Sequence, residues 1–301
     1  MKFDFTIIYI TTFISLIEPT QAALNILVTE GNRLLEYSPD GDLVMDYGVV
    51  PHPDTTRYDA TDVVATPDGK IHVLNSAPGD NDYLSTLQPS SRIWSHTPDP
   101  AGGFGNVSDA DLSILGNVAV TNRVMFDLNR FTATQFSVPG FGGVGEVSFG
   151  LDGLLYALDS GSPRGGLRVL DPTDFSLLRE FELLDSAGFR LDARGIAVRE
   201  DGQIYIADWN GRIYEYDPTG NLVKSVYTGT GNLLDIDLSA EGTLIAGSRF
   251  GDVVVTDTTL ATISTFSVGS GLVYVGFQIP EPTSLSLTLL VGIGLLRRKR
   301  R

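Results

Sequence analysis

Five stretches of the chain share one form: an apolar run, a tight acidic-Gly or Gly-Asn turn, and a second apolar run. They are DVVATPDGKIHVLN (Asp62–Asn75), DADLSILGNVAVTN (Asp109–Asn122), EVSFGLDGLLYALD (Glu146–Asp159), GIAVREDGQIYIAD (Gly195–Asp208) and DIDLSAEGTLIAGS (Asp235–Ser248). Their turn glycines are Gly69, Gly116, Gly153, Gly202 and Gly242, which sets a period of roughly 40 residues with variable loops. A third strand-like run follows each hairpin: RIWSH, RVMFDL, LRVLD, RIYEYD and DVVVTD. Most units add a fourth run after a polar turn such as Asp217–Asn221. Val, Ile, Tyr and Phe at period two, bounded by Gly, Pro, Asp and Asn, are strand and turn signals. Four short antiparallel strands in a repeat of this length describe one blade of a β-propeller.

The first unit, Asn25–Gly48, has the second, third and fourth strands of a blade but lacks the first. Gly271–Gln278, near the other end, is a strand without partners of its own. Joining the two closes a ring and leaves no open sheet edge between the termini. The expectation is an all-β, six-bladed propeller over residues 23–279. Composition agrees: 42% hydrophobic residues supply a core, and 33 Gly and 15 Pro are spread as turn punctuation. Cysteine is absent, which excludes disulfides, thiolate metal sites and a cysteine nucleophile. A formal charge of −16 argues against nucleic acid as a partner.

The unit Gly195–Val226, GIAVREDGQIYIADWNGRIYEYDPTGNLVKSV, resembles the repeat of NHL-type propellers. It is also similar to gluconolactonase-like and strictosidine-synthase-like six-bladed propellers. The resemblance implies the fold and leaves the activity open, because such propellers host lactonases, ligand binders and inert scaffolds.

In a propeller, the first strand of each blade lines the central channel. The turn between the second and third strands opens at the face where that first strand starts. Seven positions before each turn glycine stand Asp62, Asp109, Glu146, Gly195 and Asp235. The four carboxylates are candidate metal ligands around one channel mouth, with Arg194 as counter-charge. An all-oxygen set suits Ca²⁺ or Mg²⁺. The competing reading is structural, since Asp at a strand start also accepts from nearby backbone N–H groups. Among the second-to-third-strand turns, Asn75–Ser91 is the longest. It reads as a solvated loop or a lid, with Asp80, Asn81 and Asp82 as further oxygen ligands. Trp209 is placed to stack on a sugar or to pack on a neighbouring blade, and Trp94 to pack between sheets. His52, His72 and His96 lack metal-ligand spacing, and there is no G-x-S-x-G elbow or phosphate-cradling loop. Gluconolactonase-like enzymes hold a metal with a glutamate, asparagines and an aspartate. Only Glu146 and Asp235 match that set, and Arg194-Gly195 stands where an asparagine-Gly pair is expected. The first expectation is therefore a binding or scaffold protein with no assigned catalytic residue. A metal-dependent, lactonase-like hydrolase is the alternative.

Both ends read as addresses. Residues 1–22 have an apolar stretch from Phe5 to Ile17 and small residues before a break after Ala22, the form of a signal peptide. The chain ends IPEPTSLSLTLLVGIGLLRRKRR. Its apolar run is shorter than the ~20 residues that a bilayer core asks of a helix, and the basic cluster would stay cytoplasmic. Pro280-Glu281-Pro282, an apolar helix and an Arg-rich terminus resemble the PEP-CTERM sorting signal. Residues 280–301 are then expected to be a sorting and anchor segment in transient contact with the inner membrane. The resemblance implies an exosortase-type protease as a partner. It also implies export to the cell surface, outer membrane or extracellular polysaccharide matrix of a Gram-negative-type bacterium.

Overall fold

The computed structural model describes residues 24–53, 59–76, 83–98, 112–115, 118–121, 124–128, 132–135, 138, 144–159 and 166–278. These residues form six four-stranded antiparallel sheets. The first sheet runs Val273–Phe277, Ile26–Glu30, Arg33–Tyr37 and Leu43–Val49, from inside to outside. The second is Asp59–Ala65, Ile71–Ser76, Tyr83–Gln88 and Ile93–Pro98, and the third Ser113–Leu115, Val118–Val120, Val124–Asp127 and Thr132–Gln135. Val144–Phe149, Leu155–Asp159, Gly166–Leu170 and Leu177–Glu182 make the fourth sheet. Ala193–Val198, Ile204–Asp208, Arg212–Tyr216 and Leu222–Tyr227 make the fifth. The sixth is Leu233–Leu238, Thr243–Ser248, Asp252–Asp257 and Thr262–Ser267.

The predicted closure is present. Val273–Phe277 pairs with Ile26–Glu30, in register from Ile26 opposite Phe277 to Glu30 opposite Val273. Among the described residues, every strand lies between residues 26 and 277. The expected signal peptide (1–22) and sorting helix (280–301) lie outside the described residues. Among those described, no helix is long and apolar enough to cross a membrane.

Alternation puts one apolar row of each sheet against each neighbour, and each of the six sheet–sheet junctions has its own buried cluster. Leu27, Leu34, Val63 and Val73 join the first and second sheets. Leu74, Leu84, Leu112 and Ala119 join the second and third, and Val120, Val147 and Leu155 the third and fourth. Tyr156, Leu167, Ile206 and Tyr216 join the fourth and fifth. Ala207, Ile213, Leu244 and Ala246 join the fifth and sixth, and Ile245, Val253, Ile26 and Val275 return to the first. Burying such a side chain fully is worth about 1.5–3 kcal/mol, so the ring is held by its junctions, with no single central core. Outermost strands show the complementary pattern: Leu222–Tyr227 alternates half-buried and exposed, whereas Val273–Phe277 is buried throughout.

Turn chemistry matches the sequence. Gly69, Gly153, Gly202 and Gly242 all take positive φ, where a side chain is disfavoured; Gly116 lies outside the described residues. At Asp217–Asn221, the Asp217 carboxylate accepts from the Thr219 and Asn221 N–H groups and from both their side chains. Those bonds, that from the Asn221 side chain foremost, hold its carboxyl well below the usual range.

One assignment is corrected. RIWSH is not a third strand: it falls in the fourth strand, Ile93–Pro98, and the third is Tyr83–Gln88. The stretch read as one long turn, Asn75–Ser91, thus contains a strand, and it is Leu84 and Leu87 that are buried. Polar Ser85 and Thr86 between those leucines mask the apolar alternation. Asp80, Asn81 and Asp82 lie outside the described residues.

Candidate functional site: the channel and its two ends

The position singled out in the first strands has one structural signature. In the second, fourth, fifth and sixth sheets, the pairing register shifts immediately before Asp62, Glu146, Gly195 and Asp235. A bulge re-aims the side chain that follows it. Here it points each acid at the next sheet. The Leu112 N–H donates to Asp62 Oδ2, and the Ile196 N–H to Glu146 Oε1. The Val275 N–H donates to Asp235 Oδ2 over 2.7 Å. Asp62 Oδ1 also accepts from its own neighbour, the Val63 N–H, at 2.5 Å. The three carboxylates are 2–5% exposed and act as staples between successive innermost strands. A charged acceptor makes such bonds stronger than neutral ones.

Sequence reasoning missed three partners of this arrangement. Asp237 Oδ2 accepts from the Phe277 N–H at 3.1 Å, a second staple beside Asp235. Ser113 Oγ accepts from the Phe149 N–H at 2.8 Å between the third and fourth sheets. Gly276 serves the opposite purpose: a Cβ there would sit 2.4 Å from the Val63 carbonyl oxygen. Gly195 is its equivalent between the fifth and sixth sheets, where a Cβ would meet the Ile236 nitrogen at 2.8 Å. Gly195 interrupts the acidic column because the neighbouring backbone occupies the space of a side chain.

The structure brings the four proposed metal ligands together only in part. Asp62 and Asp235 border one narrow cavity of about 50 Å³ in the channel, and Glu146 does not line it; Asp109 lies outside the described residues. No group of three or more His, Asp or Glu among the described residues is placed to hold a metal ion. Both Asp62 oxygens, Glu146 Oε1 and Asp235 Oδ2 are turned to backbone N–H groups. Arg194 reaches Asp192, with Nε 3.2 Å from Oδ1, and lies over the Trp209 ring at 4.5 Å. Trp94 packs, half-buried, on the cluster between the first and second sheets, as expected.

The larger opening is at the other end, where the innermost strands finish. All six contribute to a cavity of about 340 Å³, lined mainly by apolar residues such as Val64, Phe149, Val198 and Phe277. Val64, Ser113, Ser148 and Asp237 line both this mouth and the narrow cavity, so the two are neighbours along the channel. No motif could reveal this mouth, since each of the six innermost strands gives it only one or two residues, joined by Leu24, Leu151 and the turn Ser239–Glu241.

The histidines are also brought into contexts that spacing did not show. Burial drives the His72 imidazole down to about 4; its ring nitrogens face Thr86 Oγ1 at 2.9 Å and Thr66 Oγ1 at 3.4 Å. His96 Nδ1 lies 2.8 Å from Ser85 Oγ, which accepts from Asn75 at 2.6 Å. Ser85 is fully buried, so this Ser–His contact offers no accessible nucleophile. His52 and His96 flank Tyr83 edge-on, at 4.9 and 6.5 Å between ring centroids.

Fold and channel together define the class: a β-propeller closed by its own two ends. A chain in the crystal structure of a nidogen/laminin complex superposes with a TM-score of 0.67 at 10% identity, covering 86% of this chain and 99% of that one. TolB from Acinetobacter baumannii gives a TM-score of 0.57 at 13% identity, over 85% of this chain and 66% of that one. At such identities the likeness is one of fold. No protein-family model and no curated protein matches the chain.

Proposed function

We propose that this chain is an exported binding propeller, sorted through its Pro280-Glu281-Pro282 tail, that holds a surface partner or matrix glycan at its channel. The observation that carries the binding reading is the mouth of about 340 Å³ built jointly by all six innermost strands. It is concave, mainly apolar and equipped with a few polar groups, the usual make-up of a ligand site. The acids that a metal-dependent hydrolase would need are occupied instead as staples between strands. Export and sorting rest on the sequence alone: the signal-like residues 1–22 and the tripartite tail. An exosortase in the inner membrane would recognise that tail and release the propeller to the surface or matrix.

The test is to express the full chain in a Gram-negative host with and without an exosortase, beside a Glu281→Ala variant. Cell fractions are then blotted and the C-terminal mass is read. The expected result is a propeller outside the inner membrane, shortened near residues 280–282, only when exosortase and Glu281 are both present. An intact tail with all protein in the cytoplasm would overturn the reading.

A further inference from the structure

At the channel end opposite the wide mouth, two cations share one aromatic ring. Trp209 stands in the turn after Ile204–Asp208, and Arg249 in the equivalent turn of the next sheet, after Thr243–Ser248. The Arg194 guanidinium lies 4.5 Å from the Trp209 ring centroid, and that of Arg249 lies 5.4 Å from it. Arg194 is largely buried, its side chain 16% exposed, and is ion-paired with Asp192. Arg249 is exposed, and among the described residues no carboxylate forms an ion pair with it. Beside it Phe250 is 57% exposed.

The chain has 21 Lys and Arg against 37 Asp and Glu, so cations are scarce, and bringing two to one ring opposes their mutual repulsion. Cation–π contact returns about 0.5–1 kcal/mol at an exposed site, enough to orient Arg249 but not to use its donors. Its planar fork is free to make paired N–H bonds to a carboxylate, next to the apolar surface of Phe250 and the rim of Trp209.

We propose that Arg249, supported by Trp209 and Arg194, forms a subsite for a carboxylated sugar, the uronic-acid unit of an acidic polysaccharide. A carboxylate with a pyranose ring attached matches a guanidinium fork beside an aromatic face. An acidic peptide is the poorer fit. Peptide capture by strand addition needs open backbone groups, and here the turns are already paired, with the Trp209 N–H bonded to Asp192 O and the Arg249 N–H to Asn232 O. This subsite deepens the glycan part of the proposed function and rests on it.

The full chain in detergent micelles should be titrated with oligogalacturonate, with the same oligomer after carboxyl reduction, and with poly-glutamate. Oligogalacturonate is expected to bind at least tenfold more tightly than either competitor, unchanged by EDTA and weakened by salt. Arg249→Ala should lose at least tenfold, and Arg249→Lys less, with the melting temperature of both unchanged, since the side chain is exposed. Trp209→Ala should weaken binding through loss of the support. Equal binding by Arg249→Ala, equal binding of poly-glutamate, or loss of binding in EDTA would each overturn the subsite. If the carboxyl-reduced oligomer binds as well as the acid, the subsite fails while glycan binding stands. If no oligomer binds, the subsite and the glycan reading fail together, and the export test is unaffected.

Discussion

The junctions around the channel are of two kinds. Between the second and third, third and fourth, fourth and fifth, and sixth and first sheets, a polar side chain reaches across to the next innermost strand: Asp62, Ser113, Glu146 and Asp235. Between the fifth and sixth, and the first and second, a glycine lets the strands close directly: Gly195 against Asp235 and Ile236, and Gly276 against Val63. Both solve one problem. Innermost strands of different sheets diverge, so their backbone N–H groups need either a long acceptor from the neighbour or no gap at all. The difference teaches that an acidic residue repeated at one place in a propeller can be architecture, and that a break in the repeat can serve the same end.

The largest effect is expected at a glycine junction. In Gly276→Ala the new Cβ would stand 2.4 Å from the Val63 carbonyl oxygen, a backbone atom that no rotamer change can move aside. Overpacking of this kind costs about 1–3 kcal/mol, and the rigidity of the obstacle puts this case at the upper end. Gly195→Ala, whose nearest contacts are 2.8–2.9 Å, should cost less. Denaturant midpoints at constant m-value measure both. Equal midpoints for Gly276→Ala and the parent chain would break the distinction between the two kinds of junction.

A smaller loss is expected at a stapled junction, and it should depend on chemistry more than on size. Glu146→Gln keeps an acceptor for the Ile196 N–H and should lose under about 1 kcal/mol, the difference between a charged and a neutral acceptor. Glu146→Leu leaves that buried N–H unsatisfied and should lose about 1–3 kcal/mol. If both variants lose equally, Glu146 fills space and does not staple.

The ring itself was legible because it repeats. Strand alternation and turn glycines recur, and the missing strand of Asn25–Gly48 has its complement in Gly271–Gln278. That the acids could accept from backbone N–H groups was legible; that those groups belong to the next sheet was not, for a local reason. Each follows a one-residue register shift, and such a bulge leaves no mark in composition or spacing while it changes which way a side chain points. Gly195 carried the signal in a form only geometry decodes: its departure from the acidic column reports a backbone in the way, not a missing ligand. The Arg194–Trp209–Arg249 group joins three turns and strand ends in two sheets, so no window of sequence contains it.

The smallest expected effect is none, and it is the sharpest test of what the acids are for. Millimolar Ca²⁺ or Mg²⁺ should leave the melting temperature where EDTA leaves it, because Asp62, Glu146 and Asp235 already accept from backbone N–H groups of three different neighbours. A cation would have to draw those oxygens off their donors, leaving buried N–H groups unsatisfied at about 1–3 kcal/mol each. It would gain only the carboxylates that border the 50 Å³ cavity, Asp62, Asp235 and Asp237, which among the described residues are not grouped to hold a metal ion. Binding to the folded chain alone raises stability by RT ln(1 + [L]/Kd), so even a site with Kd a hundredth of the cation concentration would add about 2.7 kcal/mol. A shift of that order, abolished by Asp235→Asn and matched by bound metal in elemental analysis, would return these residues to the role of ligands. No shift leaves the stapled and glycine junctions as two answers to one packing problem.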